Sequence, residues 1–154
     1  MRKGIFGCGI MAVFLMLGGC SSSESRTTTC SYDQDGIYDE QLITSVDGKV
    51  TQLEERIEMD FGQFGATEED MADITEDDLK VMFEEEVPQL GEDMDGIAVE
   101  YELEGTKGVI VLTVDFSKAD SSILADLGVI DTDTSNISLD LSIKALEEEG
   151  YTCK

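Results

Sequence analysis

Short segments in which apolar and polar residues alternate occupy most of the chain between residues 28 and 61. Residues 28–34, 37–46 and 50–61 have this period of two, which is typical of half-buried strands. Asp35-Gly36 and Asp47-Gly48 lie between them, and Asp-Gly between alternating segments indicates a two-residue hairpin turn. The pattern predicts three consecutive antiparallel strands.

The third segment, residues 50–61, has one apolar face and one charged face. Its apolar side carries Leu53, Ile57, Met59 and Phe61, and its charged side carries Glu54, Arg56 and Glu58. Such a strand is typical of an antiparallel sheet that is covered on a single side.

The period becomes helical in the middle of the chain. Thr75 precedes three acidic residues, as at a capped helix N-terminus, where the helix dipole favours negative charge. Pro88 ends this helix, and a shorter helical turn is predicted at 67–72. The predicted buried stripe is Leu79, Met82, Phe83 and Val87.

A second hairpin follows this helix. Residues 97–103 alternate, and 105–108 provide a turn. Residues 109–116 are almost all apolar, which predicts a central strand buried on both faces. A short helix is predicted at 122–127 and a polar loop at 131–136.

The last predicted helix begins near Ser138 and ends at Gly150, where glycine suits a left-handed cap. Residues 151–153 can then run back beside the first strand. The buried stripe of this helix is Leu139, Ile143 and Leu146. The order strands, helix, strands, helix predicts an α+β fold: an antiparallel β-sheet built from hairpins, with the helices packed on one face.

The N-terminal segment has the organisation of a secretory signal. Arg2 and Lys3 precede an apolar run at 5–17, which is shorter than the roughly twenty residues of a membrane-spanning helix. Leu-Gly-Gly-Cys at 17–20 looks like the lipobox of bacterial lipoproteins, in which the Cys20 thiol takes a diacylglyceryl group. The alternative is an ordinary signal peptide with a chance cysteine.

These features predict three regions and a location. Residues 1–19 are a removable signal peptide, 20–28 a lipidated Ser/Thr-rich tether, and 29–154 one extracytoplasmic domain. The lipid would hold the domain at the outer face of the cell membrane.

The predicted folded domain contains two cysteines, one near each of its ends. An exported domain with Cys30 and Cys153 as its leftover thiols favours a disulfide between them. Two unrelated free thiols are the alternative.

The chain is strongly acidic, with 35 Asp and Glu against 10 Lys and Arg and a formal net charge of −25. Loss of the signal would remove two of the basic residues. A surface of this charge repels nucleic acid and anionic headgroups, so nucleic acid is excluded as a partner.

The acidic segment at 33–40 places oxygen ligands around a glycine and partly resembles a calcium loop, with Asp33, Asp35 and Asp39 as candidate ligands. It has Thr44 where an EF-hand loop has its bidentate glutamate, so a hairpin turn is the favoured interpretation. The polar loop at 131–136 also lacks the full EF-hand pattern, so an ordinary loop is favoured there over a calcium site.

Catalytic signatures are absent from the sequence. The chain has no histidine, no nucleophile elbow and no phosphate-binding glycine loop. With so many acids, a carboxylate pair of the glycosidase type can be nominated anywhere, and the Glu runs at 84–86 and 147–149 read as solvated helix faces. The sequence therefore predicts a protein that is not an enzyme and has no cofactor.

Several short segments resemble a known family. They are VDGKV at 46–50, GIAVEY at 96–101, VDFSKAD at 114–120 and LEEEGY at 146–151. Together with the lipobox they resemble the YehR-like small bacterial lipoproteins. This resemblance implies the α+β architecture and the location, and it supplies no functional site because the family's biochemical function is unassigned.

The leading hypothesis is a non-enzymatic binding or interaction module that is anchored to the membrane by its lipid and contacts an envelope protein or wall polymer. Tyr32, Tyr38 and Phe64 lie near turns and are the first candidates for a partner surface. The alternatives are a calcium-binding envelope protein and an acidic hydrolase of wall polymers.

Overall fold

The computed structural model describes residues 23–86, 94–126, 129 and 137–154. The predicted signal peptide at 1–19, the predicted lipidation site Cys20, the predicted helix end at Pro88 and the predicted polar loop at 131–136 lie outside the described residues. Within those ranges, no helix has the length and apolar character that a bilayer crossing requires.

The described strands are β1 (Ser25–Gln34), β2 (Ile37–Val46), β3 (Lys49–Asp60), β4 (Ile97–Glu104), β5 (Lys107–Asp115) and β6 (Thr152–Cys153). The described helices are α1 (Glu68–Met71), α2 (Glu76–Glu86), α3 (Ser121–Asp126) and α4 (Leu139–Glu148). All strand pairs are antiparallel and form one sheet in the order β4-β5-β3-β2-β1-β6. The predicted α+β class is confirmed.

Both predicted N-terminal hairpin turns are present. Asp35 and Gly36 have φ values of 53° and 84°, and Asp47 and Gly48 have 52° and 77°. Positive φ at both central residues is the turn geometry whose twist matches that of paired strands. Each turn fixes the register of the strands that it joins, so β1 pairs with β2 along its whole length.

The first strand is longer than predicted. It begins at Ser25, and Thr28 is almost completely buried against the sheet. Residues 25–28 were expected in the tether because of their composition, but the register of the first hairpin places them opposite residues 43–46 of β2. Threonine suits this position because β-branched side chains pack well on a pleated surface.

Local capping accounts for the start of α2. The Thr75 backbone N–H donates to the Asp78 carboxylate at 2.9 Å, and the Asp78 N–H donates back to the Thr75 hydroxyl at 3.2 Å. This reciprocal box satisfies two of the amides that a helix N-terminus leaves free. Within the predicted stripe, Leu79 is 1% exposed, but the expectation that Met82 is buried is wrong, since it is 45% exposed. The apolar face with which α2 packs against the sheet is therefore narrower than the sequence pattern indicates.

The helices cover one face of the sheet. Ile43, Leu53 and Val114 pack in one cluster with Leu124 of α3 and Leu139 of α4. We call the sheet face that carries these strand residues the inner face, and the opposite face the outer face.

Helix α2 packs on the inner face as well. The Leu79 side chain lies 3.2 Å from the point where a Cβ on Gly108 would be, and Gly108 shares the side of β5 that carries Val114. Val109 and Val114, on opposite sides of β5, are both fully buried, as predicted for this strand.

The C-terminus returns to the sheet as predicted. Gly150 ends the last helical turn with a φ of 102°, and β6 pairs with β1 so that Cys153 lies opposite Cys30. The two sulfur atoms are joined in a disulfide. Hydrogen bonds between Thr29 and Lys154 in both directions extend this short pairing by one residue.

Gly96 is the position where backbone geometry most clearly requires glycine. Its φ is 78°, and an added Cβ would lie 2.6 Å from the Ala119 amide nitrogen and 2.9 Å from the Asp115 carbonyl oxygen. We expect Gly96→Ala to lower the free energy of unfolding by about 2 kcal/mol, because left-handed strain and a backbone clash add together.

Gly105→Ala is the matched control for this substitution. Gly105 has a φ of 63°, but an added Cβ there would meet no atom of the described residues within 4 Å. Only the conformational strain remains, so we expect a loss of about 1 kcal/mol in denaturant unfolding. Equal losses in the two variants would contradict the close packing between Gly96 and the 115–119 turn.

Candidate functional site

Two carboxyl groups lie on the inner face of the sheet among apolar side chains. Asp39 of β2 and Glu55 of β3 occupy the same side of their strands as Ile43 and Leu53. In the register of this hairpin, Glu55 is directly opposite Gln41 and Asp39 is opposite Ile57. Strand pairing therefore brings the two acids diagonally together in a setting that is unfavourable for charge.

Hydrogen bonds link this carboxyl pair to its neighbours. The Tyr151 hydroxyl donates to Asp39 Oδ2 at 2.6 Å, and Gln41 Nε2 donates to Glu55 Oε1 at 3.0 Å. Asp39 is only 8% exposed. Its second oxygen, Oδ1, has no donor among the described residues unless Glu55 carries a proton.

The surroundings favour the protonated form of the pair. Burial, together with the nearby Asp39 carboxylate, raises the pKa of Glu55 to about 7, against the opposing effect of the hydrogen bond from Gln41. Burial also raises the pKa of Asp39, although its hydrogen bonds with Tyr151 and Glu55 oppose this shift. The arrangement is chemically suited to holding one proton between two carboxyl groups.

The pair lies at the point where the C-terminal segment meets the sheet. Tyr151 lies three residues beyond the end of α4, and its ring lies 5.5 Å from the ring of Tyr32 on β1, measured between centroids. Burial raises the pKa of Tyr151, as does its hydrogen bond to Asp39, so the hydroxyl remains a donor.

A second polar feature is a pocket on the outer face. Its volume is about 380 Å³, and it lies at the end of the sheet where the β1–β2 turn meets the end of β3. The lining residues are Asp33, Gly36, Tyr38, Glu58, Asp60, Gln63 and Lys107.

Ion pairs order the charged side chains beside this pocket. Arg56 Nε lies 3.0 Å from Glu58 Oε1, and Lys107 Nζ lies 3.5 Å from Glu58 Oε2. The hydrogen bond from Arg56 lowers the pKa of Glu58. The Tyr38 hydroxyl donates to Glu40 at 2.7 Å, and this bond raises the pKa of the tyrosine. These contacts keep Glu58 ionised and Tyr38 neutral.

The family model for DUF1307, described as a protein of unknown function, matches residues 26–152. The chain belongs to the DUF1307 family. Together with the two solved structures described next, this match confirms the predicted resemblance to YehR-like proteins. No curated protein matches the chain in sequence.

Two solved structures are similar to this DUF1307 chain. The NMR structure of the E. coli YehR protein has a TM-score of 0.62 at 17% identity, covering 86% of this chain and 92% of that one. The NMR structure of a protein from Streptococcus pneumoniae TIGR4 has a TM-score of 0.58 at 15% identity, covering 100% of this chain and 99% of that one. At these identities the likeness concerns the fold alone.

The candidate calcium ligands of the DUF1307 chain are not brought together. Asp33 lines the outer pocket, Asp35 is an exposed residue of the hairpin turn, and Asp39 is buried on the inner face. The segment at 33–40 forms the hairpin turn that the sequence favoured, with a strand on each side. Within the part of the chain that the structure describes, no three acidic or cysteine side chains group as metal ligands.

The carboxyl pair was not predicted from the sequence, although the strand pattern contains a signal for it. Glu55 lies two residues after Leu53 and two residues before Ile57. Because side chains alternate along a strand, its carboxylate lies on the same apolar face as these two residues. Asp39 has the parity of Ile43 in the same way. The predicted partner residues differ among themselves, since Phe64 is exposed whereas Tyr32 and Tyr38 are half-buried.

Proposed function

We propose that this DUF1307 chain is a lipid-anchored extracytoplasmic interaction module that binds a basic partner through the outer face of its sheet. The observation that carries the proposal is the one-sided cover of the sheet. The helix residues described above pack on the inner face, and the outer face keeps exposed side chains and the pocket near Asp33.

The outer face has the chemical character of a contact surface for cations. Acidic side chains outnumber the three basic residues Lys49, Arg56 and Lys107 on the described strands of this face. The acids that share it are Asp33, Glu40, Glu54, Glu58, Asp60, Glu100, Glu102, Glu104 and Asp115. Leu42, 37% exposed, and the half-buried Val111 add apolar area between the charges. A complementary partner would present lysine or arginine side chains around an apolar centre.

The proposed anchor rests on the N-terminal sequence. A basic start, a short apolar run and the lipobox-like residues before Cys20 support cleavage and lipidation. Because β1 begins at Ser25, at most about 18 Å of extended chain would separate the lipid-bearing residue from the sheet. The domain would thus stay close to the membrane surface, where it can contact envelope components.

Site-specific photo-crosslinking in the native host tests the binding face. A crosslinking residue at Leu42 or Thr113 of the outer face is expected to give a discrete protein adduct, with a yield that falls as sodium chloride is raised. The matched control is position 141 on α4, because Leu141 is 68% exposed on the helical side. Adducts from position 141 alone, or an equal set from every position, would contradict the proposed face.

A further inference from the structure

We propose that Asp39, Glu55 and Tyr151 form a proton-dependent latch, which holds the end of α4 and the C-terminal segment against the sheet and loosens when the carboxyl pair loses its shared proton. The latch joins three parts of the fold that are distant in sequence: β2, β3 and the link between α4 and β6.

Tyr151 is placed to transmit the state of the carboxyl pair to the helix. Its backbone N–H donates to the Leu146 carbonyl at 2.9 Å, which closes the last turn of α4, while its hydroxyl donates to Asp39. A shift of this residue therefore moves the helix end and the start of β6 together.

The hydrogen-bond pattern around the pair requires a proton. Asp39 Oδ2 accepts from Tyr151, and Glu55 Oε1 accepts from Gln41. Among the described residues, the remaining buried oxygen of Asp39 has no donor unless Glu55 is protonated and donates to it. A buried acceptor without a donor is strongly disfavoured, so the protonated pair is the closed state.

Loss of the proton places two negative charges side by side. The neighbouring residues do not relieve this repulsion: Glu149 at the end of α4 is acidic, the Tyr32 hydroxyl donates to Gln34, and the β5 residue opposite Glu55 is Leu112. Among the described residues, no lysine or arginine forms an ion pair with either carboxyl group. The raised pKa of Glu55, about 7, places the transition in the neutral range.

The disulfide makes the opening local and reversible. Cys153 is two residues beyond Tyr151 and is bonded to Cys30, so the chain end remains tethered when the hydrogen bond to Asp39 is lost. The motion is then limited to the end of α4 and the residues that connect it to β6.

Amide hydrogen exchange against pH in the full mature chain tests the latch. Protection factors remove the intrinsic pH dependence, and the informative amides are those of Gly150 and Tyr151, which donate to the carbonyls of Glu147 and Leu146. We expect their protection to fall on the order of tenfold between pH 6 and pH 8. In Glu55→Gln the protection should stay constant, because an amide donates to Asp39 at every pH.

Glu54→Gln is the control, since Glu54 is the exposed neighbour on the outer face and the change removes the same charge. It should keep the pH dependence of the unmodified chain. The same dependence in Glu55→Gln, or none in the unmodified chain, would overturn the latch. If Glu55→Gln does not fold, the carboxyl carbon of Glu55 in the unmodified chain decides by NMR: a titration midpoint near 7 supports the latch, and one near 4.5 overturns it.

Discussion

Replacing Cys30 and Cys153 by alanine is expected to lower the free energy of unfolding by about 4 kcal/mol. The disulfide links residues that are 123 positions apart, so it removes a large amount of conformational entropy from the unfolded chain. In the folded chain, β6 contributes only two residues to the sheet and cannot replace this constraint. Urea unfolding of the oxidised protein and of the double variant measures the difference.

A reducing agent provides the control for the alanine substitutions. It should lower the unfolding midpoint of the unmodified chain and leave that of the double variant unchanged. An unmodified chain whose midpoint does not respond to reduction would show that the bond between Cys30 and Cys153 contributes no stability.

The second large expected effect is the pH dependence of protein stability that Glu55 causes. Its pKa is 4.5 in the unfolded chain and about 7 in the folded one, so the folded state binds more protons between these values. The free energy of unfolding therefore falls as the pH rises from 4.5 to 7 and is not regained above pH 7. Glu55→Gln removes this loss, and we expect the variant to be more stable than the unmodified chain at pH 8 by about 3 kcal/mol.

The expected gain in the free energy of unfolding of Glu55→Gln disappears at acidic pH. At pH 4 the unmodified Glu55 is protonated in both states, so the two proteins should have nearly equal stability. Glu54→Gln measures the contribution of general charge repulsion, because its carboxylate is exposed on the outer face. A gain at pH 8 that is as large for Glu54→Gln as for Glu55→Gln would refute the special role of the buried pair.

Local signals explain why much of the fold is predictable. The Asp-Gly turns, the alternation in β3 and the Thr75 cap each depend on a few neighbouring residues, and each is present in the structure. Gly150 as the helix end is a local signal as well. The return of Cys153 to β1 is a long-range contact, and it was predictable because Cys30 was the one partner cysteine left for it in the predicted folded domain.

Long-range packing accounts for what the sequence did not predict. The hydrogen bond between Tyr151 and Asp39 joins residues that are 112 positions apart, and no local pattern indicates it. Met82 has the spacing of a core residue, but α2 contacts the sheet along a line that includes Leu79 and excludes Met82. Glu55 was not predicted as a buried acid because Leu53 and Ile57 on either side of it define an apolar face, where a carboxylate is unexpected.

Intact-mass spectrometry of the chain extracted from membranes of its host tests the proposed anchor most directly. The predicted result is a polypeptide that begins at Cys20 and carries the added mass of a diacylglyceryl group, while Cys20→Ser gives a chain without that mass. A protein that retains residues 1–19, or that has an unmodified thiol at Cys20, would contradict the proposal.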